Sequence, residues 1–133
     1  ENRSFLDAII DEEYKIKSHS HFQDKTFSYL ARGLYSLQIK KIYKLFQKNQ
    51  LMLIRNESLR ENPNEVLDKI AKFLSITTFS FVEHKDIHSR FYPIKMNDEE
   101  LSFLRSFYKK EFNSLENLIG WNLKTWKEYN EKK

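Results

Sequence analysis

The chain has 133 residues, a net charge of +4 and no cysteine, and 40% of its residues are apolar. This length predicts one domain with a modest core, and the periodic recurrence of apolar residues excludes a disordered polypeptide. The lack of cysteine excludes disulfides and thiolate metal sites, and no apolar run approaches the roughly 18 residues that a membrane span needs.

The mild basic balance favours anionic partners such as phosphate, sulfate, nucleic acid or acidic glycans. Ordinary surface lysines explain it equally well, because the lysines are scattered rather than clustered. The absence of cysteine and of a basic-then-apolar signal segment leads us to expect a cytoplasmic protein. His19 and His21 lie two residues apart, but no third ligand is evident, so we expect no metal site.

The first predicted helix begins after Ser4, which can cap it, and ends near Lys17. A polar loop is expected at residues 18–24. A second helix is predicted from residue 26 or 34 to residue 46. Its buried stripe has spacings of four, three and four and consists of Tyr35, Ile39, Ile42 and Phe46.

The next segment predicts one central buried strand at about residues 50–55. Every position from Leu51 to Ile54 is apolar, which is typical of a strand covered on both faces in a parallel sheet. A strand needs neighbours for its backbone groups, and no second strand of comparable strength occurs in the sequence. The pattern therefore predicts that the sheet partners lie outside these residues.

Two further helices have clear start signals. Asn62 is a good N-cap, Pro63 suits the first helical position, and Glu65 stands where a capping box places its acid. Asn97 caps the following helix, and Gly120 is a candidate for its C-terminal cap. The apolar face of that helix consists of Leu101, Leu104, Tyr108, Phe112, Leu115 and Leu118.

The loop at residues 84–93 carries Lys, Arg, two His and a hydroxyl beside aromatic rings. An arginine fork suits a phosphate, and an aromatic ring can stack on a nucleobase. The sequence has no Gly-x-x-x-x-Gly-Lys phosphate loop and no Gly-x-Ser-x-Gly elbow. From these residues alone, an ordinary surface loop is the favoured interpretation.

This loop nevertheless resembles the donor-binding loop of sulfotransferases of the heparan-sulfate N-sulfotransferase type and their bacterial relatives. That loop has an Arg, any residue, Tyr-Pro or His-Pro, and then a Met, and it closes over 3′-phosphoadenosine 5′-phosphosulfate (PAPS). The matching residues here are Arg90, Tyr92, Pro93 and Met96, preceded by His88 and Ser89 where the family usually has Lys-Gly. The resemblance implies that PAPS is bound by Arg90, Ser89, Tyr92 and His88.

Four further stretches are similar to the family in order and spacing, so the resemblance covers nearly the whole chain. They are residues 5–13, 33–38, 53–74 and 101–126. The resemblance implies an α/β, P-loop-like sulfotransferase fold of which these residues form a mostly helical C-terminal portion. It also implies that Gln38 and Tyr35 bind the acceptor. Gln38 is a neutral amide and is expected to position rather than to accept a proton, and it fits equally well as a polar residue beside the Ile39 stripe. The residues favour Tyr35 as a core residue over an acceptor contact.

The implied activity is transfer of a sulfuryl group from PAPS to a hydroxyl or amine of a glycan or small-molecule acceptor, with no metal. The family's donor lysine and catalytic glutamate lie in an N-terminal half that residues 1–133 do not include. We therefore expect a single domain or fragment that has no catalytic residue and is inactive alone. The alternatives are a non-enzymatic basic helical module that binds partners or nucleic acid, and assembly with a polypeptide that supplies the sheet.

Overall fold

A computed structural model describes residues 2–18, 28–79 and 95–127 of the protein. Within these ranges the backbone forms six α-helices and two 3₁₀ turns, and no β-strand. A helix with the length and hydropathy of a membrane span is not found among these described ranges. The helices are α1 (Phe5–Lys17), α2 (Tyr35–Tyr43), α3 (Asn56–Glu61), α4 (Pro63–Leu74), α5 (Asp98–Ile119) and α6 (Lys124–Lys127). The 3₁₀ turns are Ala31–Gly33 and Lys48–Gln50.

The chain divides into two compact units. The first unit combines residues 1–42 with residues 94–133, and the second unit consists of residues 43–93. Of the described helices, α1, α5, α6 and α2 up to Ile42 therefore belong to the first unit, and α3 and α4 belong to the second. The buried apolar residues of the first unit are Ala8, Ile9, Leu30, Ile39, Leu115 and Leu123.

The long helices of the first unit begin and end where the sequence predicts. The Ser4 hydroxyl accepts a hydrogen bond from the Asp7 N–H at 3.1 Å, and α1 ends at Lys17. Asn97 and Glu100 form a reciprocal capping box at the start of α5, with both bonds at 2.9 Å. Gly120 ends α5 with a φ of 71°, a left-handed conformation that a glycine adopts without steric cost.

A buried carboxylate of α1 holds the chain that leads into α2. Glu12 is only 8% exposed, and its two oxygens accept hydrogen bonds from the N–H groups of Tyr29, Leu30 and Ala31 at 2.7, 2.8 and 2.9 Å. The Ser28 hydroxyl donates a fourth bond at 3.2 Å. Burying a charge is costly unless its hydrogen-bonding capacity is met, and these four donors meet it. Glu12 therefore fixes the path of residues 28–31 against α1.

The second helix is shorter than predicted. It runs from Tyr35 to Tyr43 and is preceded by the 3₁₀ turn, so the predicted end at Phe46 is wrong. Of the predicted stripe only Ile39 is buried, whereas Tyr35 and Phe46 are 47% and 54% exposed. The four-three-four spacing placed these residues on one helical face, but it did not decide how much of that face is covered.

The second unit confirms the position of α4 and corrects its cap. Pro63 is the first helical residue, as predicted, and Asn62 stands at the N-cap position. The Asn62 side chain makes no capping hydrogen bond, so the predicted capping box with Glu65 is wrong. Glu65 instead pairs with Lys69 one turn along the helix at 2.6 Å, and this bond lowers the pKa of the Glu65 carboxyl.

The structure does not confirm the central buried strand predicted at residues 50–55. Residues 51–55 have no regular secondary structure, although Leu51 (φ −120°, ψ 117°) and Arg55 (φ −75°, ψ 133°) are extended. Leu51, Met52 and Leu53 are half-buried, and Ile54 is 39% exposed. The physical reason is that a strand is defined by its ladder, and no described segment offers these residues one.

The end of α4 contains a conformation that its residue type disfavours. Ser75 has φ 55° and ψ 40°, and it is the non-glycine residue with positive φ within the described ranges. Its N–H and that of Ile76 close the helix by bonding back to the carbonyls of Lys72 and Ala71 at 3.2 and 3.0 Å. A side chain in this region costs about 1–2 kcal/mol relative to glycine. The turn is thus held by its hydrogen bonds against a steric cost.

We expect Ser75→Gly to raise the free energy of unfolding by about 0.5–1 kcal/mol, since glycine removes the steric cost but loses more chain entropy on folding. Urea unfolding followed by circular dichroism measures the change. Ser58→Gly in α3 is the matched control, and it should lower stability by about the same amount because glycine disfavours a helix interior. Equal destabilisation by both substitutions would contradict the assignment of strain to Ser75.

We expect Glu12→Gln to lower the free energy of unfolding by about 2–3 kcal/mol, because an amide nitrogen would replace one oxygen that accepts from backbone N–H groups. The same urea titration measures it. Glu13→Gln is the matched control: Glu13 forms only a surface ion pair with Lys17 at 2.8 Å, and its loss should cost less than about 0.5 kcal/mol. Similar losses for the two variants would show that Glu12 does not anchor the loop.

Candidate functional site

The structure describes only part of the predicted site. The donor-loop residues His88, Ser89, Arg90 and Tyr92 lie outside the described residues. The two acceptor residues, Tyr35 and Gln38, lie in the first turn of α2 in the first unit. The described candidate site is therefore the start of α2 together with the residues that hold it in place.

Gln38 is exposed and its amide is oriented by the preceding turn. Its Nε2 donates to the carbonyl oxygen of Arg32 at 3.1 Å. A neutral amide has both donors and an acceptor but cannot take up a proton at physiological pH. Gln38 can therefore form hydrogen bonds without acting as a base, and its contact with an acceptor stays a prediction.

Tyr35 is on the surface and not in the core, which corrects the prediction made from its stripe. Its ring centroid lies 6.5 Å from that of Trp126 at an interplanar angle of 53°. Trp126 in turn packs against Phe112 at 6.4 Å and 63°. Tyr35 is 47% exposed, so its ring contacts Trp126 on one side and is accessible to solvent on the other.

A second buried carboxylate fixes the start of α2. Glu111 of α5 is 7% exposed, and its oxygens accept from the Ser36 N–H at 2.6 Å and from the Ser36 hydroxyl at 2.7 Å. Ser36 is itself 2% exposed. An anion at a helix N-terminus is favoured by the helix dipole and satisfies an N–H that has no partner within the helix. Because Tyr35 and Gln38 lie in the same turn as Ser36, these bonds also fix their backbone relative to α5.

Gly33 is required by the close approach of α5. A Cβ atom added there would lie 2.5 Å from the Tyr108 hydroxyl and 2.7 Å from its ring. The Tyr108 hydroxyl donates to the Leu30 carbonyl at 2.8 Å. Burial, aided by the nearby Glu12 carboxylate, raises the pKa of Tyr108 to about 12, so the hydroxyl keeps its proton and stays a donor at neutral pH.

Sequence reasoning missed both anchoring carboxylates. A signal was available, because each acid stands in the apolar register of its helix. Glu12 lies three residues after Ile9 and four before Ile16, and Glu111 lies three residues after Tyr108 and four before Leu115. An acid in such a position needs buried donors, and these turn out to be backbone N–H groups and serine hydroxyls.

The described part of the chain contains no group of three or more His, Asp or Glu side chains that could hold a metal ion. His19, His21 and the two histidines of the donor loop lie outside it. The chemistry that the described site offers is hydrogen bonding and aromatic contact by Gln38 and Tyr35.

Comparison with known proteins gives one consistent result. The sulfotransferase domain family matches residues 5–119, which is most of the chain. The membrane-associated sulfotransferase kil1 of Dictyostelium discoideum is 30% identical over 99 residues, which are 74% of this chain and 21% of that protein. The bifunctional heparan sulfate N-deacetylase/N-sulfotransferase 4 of Mus musculus is 27% identical over 123 residues, with 73% of this chain and 14% of that protein covered.

No solved structure matches the chain significantly. The chain spans about a fifth and about a seventh of the lengths of the two curated relatives. The family match covers both the described start of α2 and the donor loop at residues 84–93, and it agrees with the resemblance found in the sequence. The chain therefore belongs to the sulfotransferase domain family.

Proposed function

We propose that the chain is the C-terminal part of a P-loop-like sulfotransferase domain that transfers a sulfuryl group from PAPS to an acceptor hydroxyl or amine. The observation that carries the proposal is the family match over residues 5–119. It favours this function over the basic helical module that composition alone left open. A relative whose name includes a heparan sulfate N-sulfotransferase supports a glycan acceptor, with a small molecule as the other class.

Gln38 and Tyr35 are proposed to bind the acceptor. Both are exposed at the start of α2, and buried bonds between Glu111 and Ser36 join this start to α5. Gln38 can hold a hydroxyl or amine in line with the donor, and the Tyr35 ring can contact the acceptor's apolar face. Because the Gln38 carboxamide cannot accept the proton of the acceptor, the catalytic base is proposed to come from elsewhere in the domain.

The donor loop is proposed to bind PAPS through Arg90, with Ser89, His88 and Tyr92 beside it. The planar guanidinium of an arginine can bind two phosphate oxygens at once, and it stabilises charge that develops on the donor during transfer. Ser89 and His88 supply further hydrogen-bond donors, and the Tyr92 ring can stack on the adenine. The proposal includes no metal.

The remaining parts of the domain are proposed to come from polypeptide outside these 133 residues. Residues 51–55 are partly extended and have no ladder partner in the described ranges. The second unit also exposes large apolar side chains, which include Leu45, Phe46, Leu74 and Ile76 at 50–79%. An unpaired apolar segment and exposed apolar side chains are typical of a surface that another segment covers. The cytoplasmic location expected from the sequence stays a prediction.

We expect the isolated 133 residues to show no sulfuryl transfer from PAPS to a panel of glycans, sugars and amines. The complete domain that contains them should transfer it, because only that domain would add the donor lysine and the catalytic base. Radiolabelled PAPS measures turnover. Turnover by the isolated chain would show that the missing parts are dispensable, and inactivity of the complete domain would contradict the proposed function.

We expect Gln38→Ala, made in the complete domain, to raise the KM for the acceptor about three- to tenfold and to leave the KM for PAPS unchanged, since the proposed hydrogen bond from Gln38 to the acceptor is lost. Arg90→Gln is the comparison variant and should do the reverse. Lys40→Ala, an exposed change elsewhere on α2, controls for general effects on the helix. Equal changes in both KM values for Gln38→Ala would contradict an acceptor role.

A further inference from the structure

An open groove of about 260 Å³ lies beside α5 and α6 in the first unit. It is lined by Arg105, Lys109, Phe112, Asn113 and Lys127. Three of these five residues are cations, one is an aromatic ring and one is an amide. No acidic side chain of the described residues lines it, so the groove combines positive charge with one apolar surface.

The two cations of α5 stand one helical turn apart with nothing between them to neutralise their charge. The positions three and four residues before and after Arg105 and Lys109 carry only Leu, Ser, Tyr, Phe and Asn besides each other. Like charges at this spacing repel. Three other helical lysines of the described ranges do pair with an acid one turn away, in Asp11–Lys15, Glu13–Lys17 and Glu65–Lys69. Arg105 and Lys109 have no such ion pair with a described residue.

Lys127 supplies a third cation that is held in place. Its Nζ donates to Asn113 Oδ1 at 3.1 Å and to Glu116 Oε2 at 2.5 Å. The other Glu116 oxygen accepts from the Leu123 N–H at 2.8 Å, which ties the start of α6 to α5. The bond from Lys127 lowers the pKa of the Glu116 carboxyl, so this acid stays charged. An ammonium has three donors, and one of those of Lys127 remains for a ligand.

Phe112 gives the groove a rigid apolar side. Its ring stacks on Tyr108 at 5.9 Å and 26° and packs against Trp126 at 6.4 Å. Phe112 is half-buried, so part of its ring stays accessible. A bare inorganic anion would use the cations and leave this ring unused. A ligand that uses both has an anionic group joined to a compact body with apolar faces.

We propose that this groove binds a sulfate or phosphate monoester carried on a single sugar-sized ring. The ester lies between Arg105 and Lys109 and accepts a bond from Lys127, and the ring of the ligand packs on Phe112. Arginine binds such oxyanions in a forked, two-bond geometry. The groove volume is slightly below the range of about 300–1,000 Å³ of pockets that enclose drug-sized ligands, so the groove has room for about one ring. The inference involves neither PAPS nor sulfuryl transfer and does not depend on the proposed activity.

Titration of the ¹⁵N-labelled 133-residue chain by NMR tests the site, with glucose 6-sulfate, glucose 6-phosphate, inorganic sulfate and glucose as probes. We expect saturable shifts in the amides of residues 105–113 and 124–127 with one or both esters, and the ester that binds more tightly identifies the anion. Inorganic sulfate should bind at least threefold more weakly, and glucose should not bind. Raising the salt concentration should weaken ester binding.

Arg105→Gln and Lys109→Gln should each weaken ester binding about tenfold, since each removes a charge-assisted contact. Lys110→Gln is the matched control, because it makes the same charge change on the same helix outside the groove. Unaltered thermal unfolding of the variants shows that the helix is intact. Absence of ester binding, equal binding of glucose, or an equal loss in Lys110→Gln would overturn the proposal.

Discussion

Two buried carboxylates, Glu12 and Glu111, bind the segment that leads into α2 and the first turn of α2, and the described part of the first unit depends on them. Neither is neutralised by a cation in the contacts described above. Both are satisfied by backbone N–H groups and serine hydroxyls. The effective cost of removing an ion from water is several kcal/mol, so removal of these donors would leave a charge that the interior could not hold. The two carboxylates therefore stabilise the backbone path of residues 28–36 that brings these donors to them.

This constraint joins segments that are distant in sequence. Glu12 bonds to residues 16 to 19 positions further along the chain, and Glu111 bonds to a residue 75 positions before it. The Tyr108 hydroxyl also donates a hydrogen bond to the Leu30 carbonyl in the same segment. A side chain at position 33 would collide with the Tyr108 ring, so the glycine there makes this contact possible. The start of α2 is therefore defined by α1 and α5 together. Tyr35 and Gln38 project from it without taking part in the ties of Glu12 and Glu111.

Local signals were sufficient wherever the structure is decided locally. Ser4, Asn97 and Gly120 were predicted as caps because a hydroxyl, an amide and a missing Cβ act within one turn of the helix end. Asn62 shows the limit of such reasoning, since its position was right and its hydrogen bond was not. The family match at the candidate site was predictable from the motifs of residues 33–38 and 84–93. The anchoring of that site was not, because periodicity treats an acid in an apolar register as an exception and not as evidence for buried donors.

The strand predicted at about residues 50–55 was not confirmed for a different reason, which concerns burial. Its sequence is apolar at every position from Leu51 to Ile54, yet the environment in the chain leaves Ile54 39% exposed. Full burial of such a side chain stabilises a protein by about 1.5–3 kcal/mol, so a run of four represents a sizeable stabilisation that these residues do not fully obtain. Exposed strand-like segments of this composition also promote aggregation, and proteins rarely leave them uncovered. The sequence predicts full burial of residues 51–54, whereas the described residues cover them only in part. This incomplete burial agrees with the proposal that further polypeptide completes the sheet. On that proposal, the apolar run from Leu51 to Ile54 matches the environment of the complete domain, and this is why a strand was predicted there.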